Sequence, residues 1–347
     1  MLAPSRIIRS TPEQTGGGRH RPALVEKARE AIEEGSKSFA AASKLFDRTT
    51  REKVWLLYAW CRRCDDIADA QDKGGALGDQ SDADKRLRSI KLLTQRAFDR
   101  MPTAEIAFDA FGQVARETAI TPDMADDVIA GFALDAADWR PRSEQDMMQY
   151  CYHVAGAVGV MMGMVMGVPR GDEETLDRAC DLGLAFQLNN IARDIEEDDA
   201  AGRCYLPLEW LSEADIPPGQ HMKPMFRAEL VQIVARMLDI AEVHEAASRL
   251  GAKKLPFRSR WAVLSAARIY GAIGRKVRKA GAAAWDHRIY ISGPAKARHV
   301  VAAYFEALIN RPKTPTEMPR WSRRDFARAP APLPPGDDGE TEISGSN

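Results

Sequence analysis

Two acidic clusters constrain this chain more than any other feature of its sequence. The first, at residues 65–69, ends a segment of helical period that we predict begins near Thr49, where residues 49–52 have the pattern of a capping box. The apolar stripe of that helix continues in steps of three and four through Val54, Tyr58, Cys61, Asp65 and Asp69. Both outer carboxylates of the cluster therefore fall on the stripe that should face the protein interior.

The second acidic cluster repeats this arrangement on another helix. Its stripe runs through Gly183, Gln187, Asn190, Asp194 and Asp198. Buried carboxylates without a compensating cation are very costly, but two such pairs facing each other are tolerated around a divalent cation, and oxygen ligands suit Mg²⁺. The two clusters predict a helical cavity with two carboxylate walls that bind Mg²⁺ and, through it, a phosphate-rich ligand.

The alternative interpretation is that each acidic run is an ordinary solvated helix face. The two runs share one spacing, and apolar or uncharged polar residues precede each of them on its own stripe. Because a solvated face has no reason to repeat this pattern, we favour the interior placement.

The remainder of the chain predicts an all-α protein. Segments of helical period follow one another from about Pro22 to Asn310 without a linker-like stretch, and alternating strand patterns are scarce. We predict one helical domain at residues 22–311. We also predict a disordered lead-in at residues 1–21, without the apolar region of a signal peptide, and a proline-rich disordered tail at residues 312–347.

The charge balance narrows the choice of partner. The chain has 49 Lys and Arg residues against 50 Asp and Glu residues, a net charge of −1, which excludes nucleic-acid binding through a bulk positive field. One local basic stretch could bind phosphates or anionic lipid, or could be a solvated helix face. It runs from Arg258 and Arg260 to a basic cluster that contains Arg275, Lys276, Arg278 and Lys279.

The cysteines indicate a reducing compartment. There are five, an odd number for a chain of this size, so we predict a cytoplasmic protein. Cys61 and Cys64 have CxxC spacing but lie mid-helix without a second Cys or His pair nearby. We interpret them as two packed thiols and not as a zinc or redox pair.

Residues 154–168 are almost wholly Ala, Gly, Val and Met. These 15 residues fall short of the roughly 20 that a transmembrane helix needs, so a buried core helix is the first expectation. Glycines such as Gly156, Gly159 and Gly163 remove bulk, and the methionines supply adaptable apolar surface that could line a long cavity. A phosphate site at one end of an apolar tube describes a site for an isoprenoid diphosphate.

Five ordered motifs resemble those of the squalene/phytoene synthase family, most closely its bacterial phytoene synthases. The resemblance covers nearly everything from Gly35 to about Ser292. The motifs are GSKSF at 35–39, LYAWCR at 57–62 leading into DDIAD at 65–69, YCYHVAG at 150–156, AFQLNNIARD at 185–194 and GRCYLP at 202–207. A single DxxxD would be weak support, but five motifs in order are strong support.

The resemblance implies an isoprenoid-synthase-type helical bundle around a central cavity, in an enzyme that joins two prenyl diphosphates head to head. For the phytoene synthases it implies condensation of two geranylgeranyl diphosphates through prephytoene diphosphate to phytoene, the first committed step of carotenoid biosynthesis. It also implies Mg²⁺ as cofactor, with Mn²⁺ as an alternative. Since no dinucleotide fingerprint is visible, we expect no NAD(P)H.

The resemblance also assigns roles to individual residues. The implied metal ligands are Asp65, Asp69, Asn190, Asp194 and Asp198. The implied catalytic residues are the four aspartates of that set and Tyr150, which lies near the reacting carbons. The implied substrate-binding residues are Ser36, Lys37, Phe39, Tyr58, Arg62, Gln187, Asn190, Arg193, Tyr270 and Arg288. These types suit the chemistry, because cations stabilise a diphosphate leaving group and an aromatic face stabilises a carbocation. For His153 we favour a packing and hydrogen-bonding role over that of a base.

Two other functions stay open from the sequence alone. One is a sister activity on farnesyl diphosphate that forms squalene, dehydrosqualene or presqualene diphosphate, because tail length depends on a cavity depth that the sequence does not give. The other is a non-catalytic helical assembly factor. Family members of that kind tend to lose their acids, and all four outer aspartates are present here.

The implied product predicts a membrane partner. A hydrocarbon product and an apolar substrate tail should both exchange with a bilayer, and the sequence shows no spanning segment. We therefore expect peripheral association with the inner face of the membrane. Contact with neighbouring enzymes of the carotenoid pathway is a further partner that the sequence leaves open.

Overall fold

The computed structural model describes residues 20–71, 78, 82–137 and 139–327, and of Lys37 and Ser38 only the backbone. All regular elements within these residues are helical and none is a strand, so the all-α prediction is confirmed. The predicted lead-in at 1–21 lies almost wholly outside the described residues, as do residues 328–347 of the predicted tail.

The helices follow one another with short connections. The first half of the chain forms α1 (Arg21–Gly35), α2 (Lys37–Ser43), α3 (Arg48–Ala68), α4 (Ala83–Phe98), α5 (Ile106–Glu117), α6 (Pro122–Ala136) and α7 (Glu144–Cys151). After a π-helical turn at Tyr152–Gly156, the second half forms α8 (Ala157–Val165), α9 (Glu173–Ala200), α10 (Leu208–Glu213), α11 (Arg227–Ala252), α12 (Phe257–Ala280), α13 (Gly293–Ile309) and α14 (Arg323–Ala327). No helix of the described part is long and apolar enough to cross a bilayer.

Helix α3 begins two residues earlier than its predicted capping box implies. Asp47 is the N-cap, and its carboxylate accepts a hydrogen bond from the backbone N–H of Thr50 at 3.0 Å. The predicted capping box at residues 49–52 is therefore wrong. Glu52, which would have closed that box, instead forms ion pairs with Arg21 and Arg48. A carboxylate immediately before the helix is an equally good cap, and it leaves Glu52 to tie α1 to α3.

Helix α9 is the longest helix among the described residues, and it connects the two ends of the candidate site described below. Its 28 residues span about 42 Å, starting from an Asp172 N-cap that accepts a hydrogen bond from the Thr175 N–H. It packs against α11, α12, α8 and the π-helical turn. One helix thereby carries both apolar residues near its start and the second acidic cluster near its end.

Two glycines allow α9 to approach the helical segment before it closely. A Cβ at Gly183 would lie 2.3 Å from the carbonyl oxygen of Ala155, and a Cβ at Gly159 would lie 2.4 Å from that of Ala179. Gly159 was expected to leave room for a cavity, and it does line the cavity described below, as does Gly183. The same two glycines also allow the close helix–helix contact, because a side chain at either would collide with backbone.

The predicted disorder of the C-terminal tail is wrong for residues 321–327. Phe326, on α14, is 1% exposed and stacks on Tyr152 at a centroid distance of 5.5 Å. The Trp321 indole N–H donates to Glu144 at 3.1 Å, and Arg323 pairs with acids in the first turns of α9. The proline content of this tail led to the prediction of disorder, although two aromatic residues, Trp321 and Phe326, pack on the core.

Candidate active site

A cavity of about 400 Å³ lies between α2, α3, α8, α9, α11 and α12. The two stripes predicted from sequence both face it. Helix α3 contributes Val54, Tyr58 and Cys61, and α9 contributes Gly183, Gln187 and Asn190. The spacing of the apolar and polar residues was therefore sufficient to place two opposite walls of one cavity.

The cavity changes character along its length. The end near the start of α9 is mostly apolar and is lined by Phe46, Val168, Ala252 and Leu255. At the other end lie the polar groups of Tyr58, Gln187 and Asn190, one turn before the acidic clusters on the same helices. A ligand that matches this gradient has a long hydrocarbon tail and a polar head directed towards the acids.

On the α3 side, each outer aspartate pairs with an arginine. Asp65 accepts a hydrogen bond from Arg62 at 3.0 Å, and Asp69 accepts one from Arg203 at 3.0 Å. Burial raises the pKa of Asp65 to about 6 against the opposing charge of Arg62, and the charge of Asp69 adds to the rise. The acids of this wall are therefore close enough to repel each other.

On the α9 side, two arginines hold the first aspartate. Asp194 accepts hydrogen bonds from its neighbour Arg193 at 2.6 Å and pairs with Arg288 at 2.9 Å. The half-buried carboxylate of Asp198 has no ion pair or hydrogen bond within the described residues. Burial and the charge of Asp194 raise the pKa of Asp198 to about 7.

A cation would suit this arrangement, although the acids do not form a tight cluster. Within the described ranges, no group of three His, Cys, Asp or Glu side chains is close enough to hold a metal ion. The guanidinium groups of Arg62, Arg193, Arg203 and Arg288 lie beside the acids and balance part of their charge. All of the acidic donors are oxygens, and Asp198 is half-buried without a counter-charge in contact, so the donor set fits a hard divalent cation.

Sequence reasoning missed a further carboxylate, Asp135, near the end of α6. It accepts hydrogen bonds from the hydroxyl of Tyr150 at 3.1 Å and from that of Tyr205 at 2.9 Å, and these two rings stack at 4.6 Å. Burial raises its pKa to about 6. Tyr205 could have been found from sequence, because it lies within the GRCYLP motif. Asp135 lies in no recognised motif.

Four aromatic rings stand together at the α2 side of the cavity. Phe39 lies 6.2 Å from Tyr58 and 6.1 Å from Tyr270, and Phe186 stacks on Tyr270 at 4.0 Å. Sequence analysis named three of these rings and missed Phe186. Ser36 caps α2 by accepting a hydrogen bond from the Phe39 N–H at 3.2 Å. The side chain of Lys37, also predicted to bind substrate, lies outside the described residues.

Arg62 is turned away from the main cavity. It pairs with Asp65 and also with the buried Asp66 at 3.0 Å, and it lines a second cleft of about 410 Å³ between α1, α3 and α5. Of the residues predicted to bind substrate, those that line the main cavity are Phe39, Tyr58, Gln187, Asn190 and Tyr270. Arg193 and Arg288 reach its acidic end through Asp194.

His153 and the two cysteines of the CxxC sequence have structural roles. His153 is buried in the π-helical turn, and its Nδ1 lies 2.8 Å from the carbonyl oxygen of Asp127, as expected for a packing and hydrogen-bonding residue. Cys64 is buried in the core, Cys61 packs against that core, and both are free thiols. The interpretation of the CxxC spacing as two packed thiols is confirmed.

The raised pKa of Asp198 predicts a pH-dependent stability for the metal-free protein. A carboxyl whose folded-state pKa exceeds its unfolded value binds more protons when folded, so it lowers stability as pH rises between about 4 and 7. We expect Asp198→Asn to raise Tm over the parent protein at about pH 8 in chelator and to raise it much less at about pH 5, where only a small part of the loss has occurred.

Comparing Asp198→Asn with the parent protein isolates the contribution of Asp198. Both proteins keep His153 and His221, whose titration affects stability in the opposite direction. Burial lowers the pKa of both histidines, which reduces stability as pH falls. The exposed Asp239 provides the matched control, since Asp239→Asn should not raise Tm at either pH. Equal Tm gains for Asp198→Asn at both pH values would contradict the prediction.

Comparison with known proteins identifies the class to which this helical cavity belongs. The family model described as squalene/phytoene synthase matches residues 32–295. The chain belongs to the squalene/phytoene synthase family. The match includes both acidic clusters, the YCYHVAG segment and the GRCYLP segment.

Individual relatives cover most of the chain. It is 46% identical over 308 residues to a phytoene synthase from Pseudescherichia vulneris, covering 87% of this chain and 98% of the relative. It is 43% identical over 306 residues to a 15-cis-phytoene synthase from Pantoea ananas, with the same coverages. A solved dehydrosqualene synthase superimposes with a TM-score of 0.74 at 24% identity, covering 83% of this chain and 98% of that structure. This last likeness establishes the fold.

Proposed function

We propose that this chain is a phytoene synthase, which condenses two geranylgeranyl diphosphates head to head, through prephytoene diphosphate, to phytoene. The observation that carries the proposal is the single cavity with an apolar end and an opposite end that reaches two acidic helices with arginines among the acids. The phytoene synthases among its relatives, at 43–46% identity, support the same activity.

We assign the diphosphate end to residues from four parts of the chain. Asp65, Asp69, Asn190, Asp194 and Asp198 would hold Mg²⁺, with Mn²⁺ as an alternative. The bound metal would neutralise charge on the departing diphosphate. Arg193, Arg203 and Arg288 now pair with the aspartates, and they would bind diphosphate oxygens once the acids are engaged elsewhere.

Tyr150 and Asp135 would handle the proton that is lost when phytoene forms. The Tyr150 ring is buried beside Trp139 and Tyr205, and its hydroxyl already contacts the Asp135 carboxylate. The aromatic face would stabilise positive charge on carbon. The hydroxyl is held in one orientation, in which it can accept a proton while passing its own to Asp135.

Replacing Asp135 with asparagine should lower kcat about 10- to 100-fold with little change in KM, since a hydrogen bond to a charged group contributes about 1.5–3 kcal/mol. Both phenols donate to the same oxygen of Asp135, so asparagine can keep both contacts, but only as a neutral and weaker acceptor. Tyr205→Phe is the matched variant, and we expect it to cost less than Tyr150→Phe. A wild-type kcat in Asp135→Asn would remove Asp135 from the mechanism.

Product analysis tests the proposed function directly. Pure protein with Mg²⁺ is incubated separately with geranylgeranyl and farnesyl diphosphates. NADPH is added in a parallel farnesyl diphosphate reaction as the reductant that squalene formation requires, and each product is identified by mass and ultraviolet spectrum. We expect phytoene from the first and little product from the second. Formation of squalene, dehydrosqualene or presqualene diphosphate from farnesyl diphosphate alone would favour the sister activity. The absence of diphosphate release from either substrate would favour a non-catalytic role.

Where the protein works follows from this proposed chemistry. A hydrocarbon product needs a bilayer to receive it, so we place the enzyme on the inner face of the membrane as a peripheral protein. The basic stretch named from sequence gives limited support. Arg275 pairs with Glu245, Arg278 pairs with Asp239, and Lys276 donates to a backbone carbonyl.

A further inference from the structure

Helix α13 has an apolar outer face. Val301, Phe305 and Leu308, spaced by four and three, are 56%, 57% and 54% exposed, and Ile309 at the end of the helix is 66% exposed. On the inner face, Ala303 and Ala307 are fully buried against α11 and α12. Large apolar side chains contiguous over about two turns on an exposed face mark an interaction surface.

The charged residues around this face are mainly basic. From Gly293 to Lys313 the chain has four Lys or Arg residues, and its single acid is Glu306. Glu306 is turned inward, where it accepts hydrogen bonds from Arg249 at 3.0 Å and from Arg268 at 2.7 Å. The basic residues Arg298, Arg311 and Lys313 are exposed before and after the apolar segment.

Aromatic side chains pack between α13 and α12. Tyr304 packs edge-on against Trp261 at 5.3 Å and against Phe257 at 5.6 Å. The indole N–H of Trp261 donates to the carbonyl oxygen of Val300 at 2.9 Å, which fixes α13 on α12. Tyr and Trp beside an apolar face with a basic rim are typical of protein segments that lie at a bilayer surface.

The apolar face lies beside the apolar end of the cavity. The C-terminal end of α13 reaches the turn between α11 and α12, where Asn310 donates to the carbonyl oxygen of Lys253 at 3.4 Å. Ala252 and Leu255, on either side of that turn residue, line the deep end of the cavity. A bilayer against α13 would therefore lie next to the part of the cavity that suits a hydrocarbon.

We propose that the outer face of α13, with Arg298, Arg311 and Lys313 at its rim, is the surface by which the protein docks on an anionic bilayer. The docking itself does not depend on turnover. Only its purpose, which is to pass a hydrocarbon to the bilayer, rests on the proposed function. The apolar residues would enter the headgroup boundary, and the basic residues would contact lipid phosphates.

Liposome flotation at low salt tests the docking surface. With vesicles of phosphatidylcholine containing phosphatidylglycerol, we expect the full chain to float and the variant V301S/F305S/L308S to lose at least about tenfold of its bound fraction. The control L92S/M225S, altered at equally exposed apolar residues elsewhere, should float like the parent protein. R311Q/K313Q should weaken binding to anionic vesicles more than R88Q/K91Q, which changes two exposed basic residues on α4.

Several results would overturn the proposal. One is that the parent protein fails to float, and another is that V301S/F305S/L308S floats as well as its control. A third is that light scattering of the lipid-free protein shows a dimer that this variant abolishes, because the face would then bind a second copy. Turnover with detergent-dispersed substrate separates the two proposals: the variant should keep the parental kcat, and a protein that floats without turnover would refute only the proposed function.

Discussion

Replacing Asp69 with asparagine should reduce turnover about a thousandfold while the helical fold stays intact, because the change removes charge needed around the diphosphate but conserves volume. Asp69 is half-buried and accepts a hydrogen bond from Arg203, a contact that an amide oxygen can keep in weaker form. Asp194→Asn should have a similar effect on the opposite wall. Steady-state rates across a Mg²⁺ titration measure both.

The Mg²⁺ titration distinguishes loss of a metal ligand from general damage. Asp239→Asn, which alters an exposed acid paired with Arg278, should keep the parental rate and the parental Mg²⁺ dependence. Circular dichroism should give the same helix content for all three variants. An Asp69→Asn protein that turns over at the wild-type rate under limiting Mg²⁺ would refute the metal assignment on α3.

Gly183→Ala should lower the free energy of unfolding by about 2–3 kcal/mol, the upper part of the roughly 1–3 kcal/mol expected for overpacking. In an ordinary helix interior the same change would add about 1 kcal/mol, so the sign of the effect is informative. Here the new Cβ would lie 2.3 Å from the Ala155 carbonyl oxygen and 2.7 Å from its carbon. Backbone atoms cannot rotate aside, so α9 and the π-helical turn would have to separate.

Chemical denaturation of Gly183→Ala and Gly171→Ala measures this effect against a matched control. Gly171 lies in the turn before α9, and a Cβ there would meet no atom within 4 Å. We expect Gly171→Ala to change stability by less than about 0.5 kcal/mol. Equal stabilities for the two variants would show that the close approach of α9 to Ala155 is relaxed at little cost.

Helical periodicity was sufficient to predict the main features of this site. Which residues share a face of α3 or α9 depends only on 3.6 residues per turn, so Tyr58, Cys61, Gln187 and Asn190 could be placed on two walls before any tertiary structure was known. The all-α fold followed in the same way. Neither inference needs to know which helices are neighbours.

The features that sequence missed depend on neighbours that are far apart in the chain. Asp135 and Tyr205 are 70 residues apart, and their hydrogen bond exists only because α6 lies beside the segment after α9. The role of Gly159 depends on the position of the Ala179 carbonyl on another helix. Phe326 was assigned to a disordered tail because composition does not reveal a surface on which one aromatic ring can pack.

The π-helical turn at Tyr152–Gly156 divides one helical rod into two independently oriented faces. Tyr150, Val154, Val158 and Met162 are four apart, so an unbroken α-helix would place them on one stripe. The turn accommodates an extra residue, equivalent to about 100° of rotation. The last three residues therefore line the cavity while Tyr150 faces Asp135. Substitutions among the cavity-lining residues can therefore reshape the cavity without moving the phenol, so the two faces of this rod can change independently.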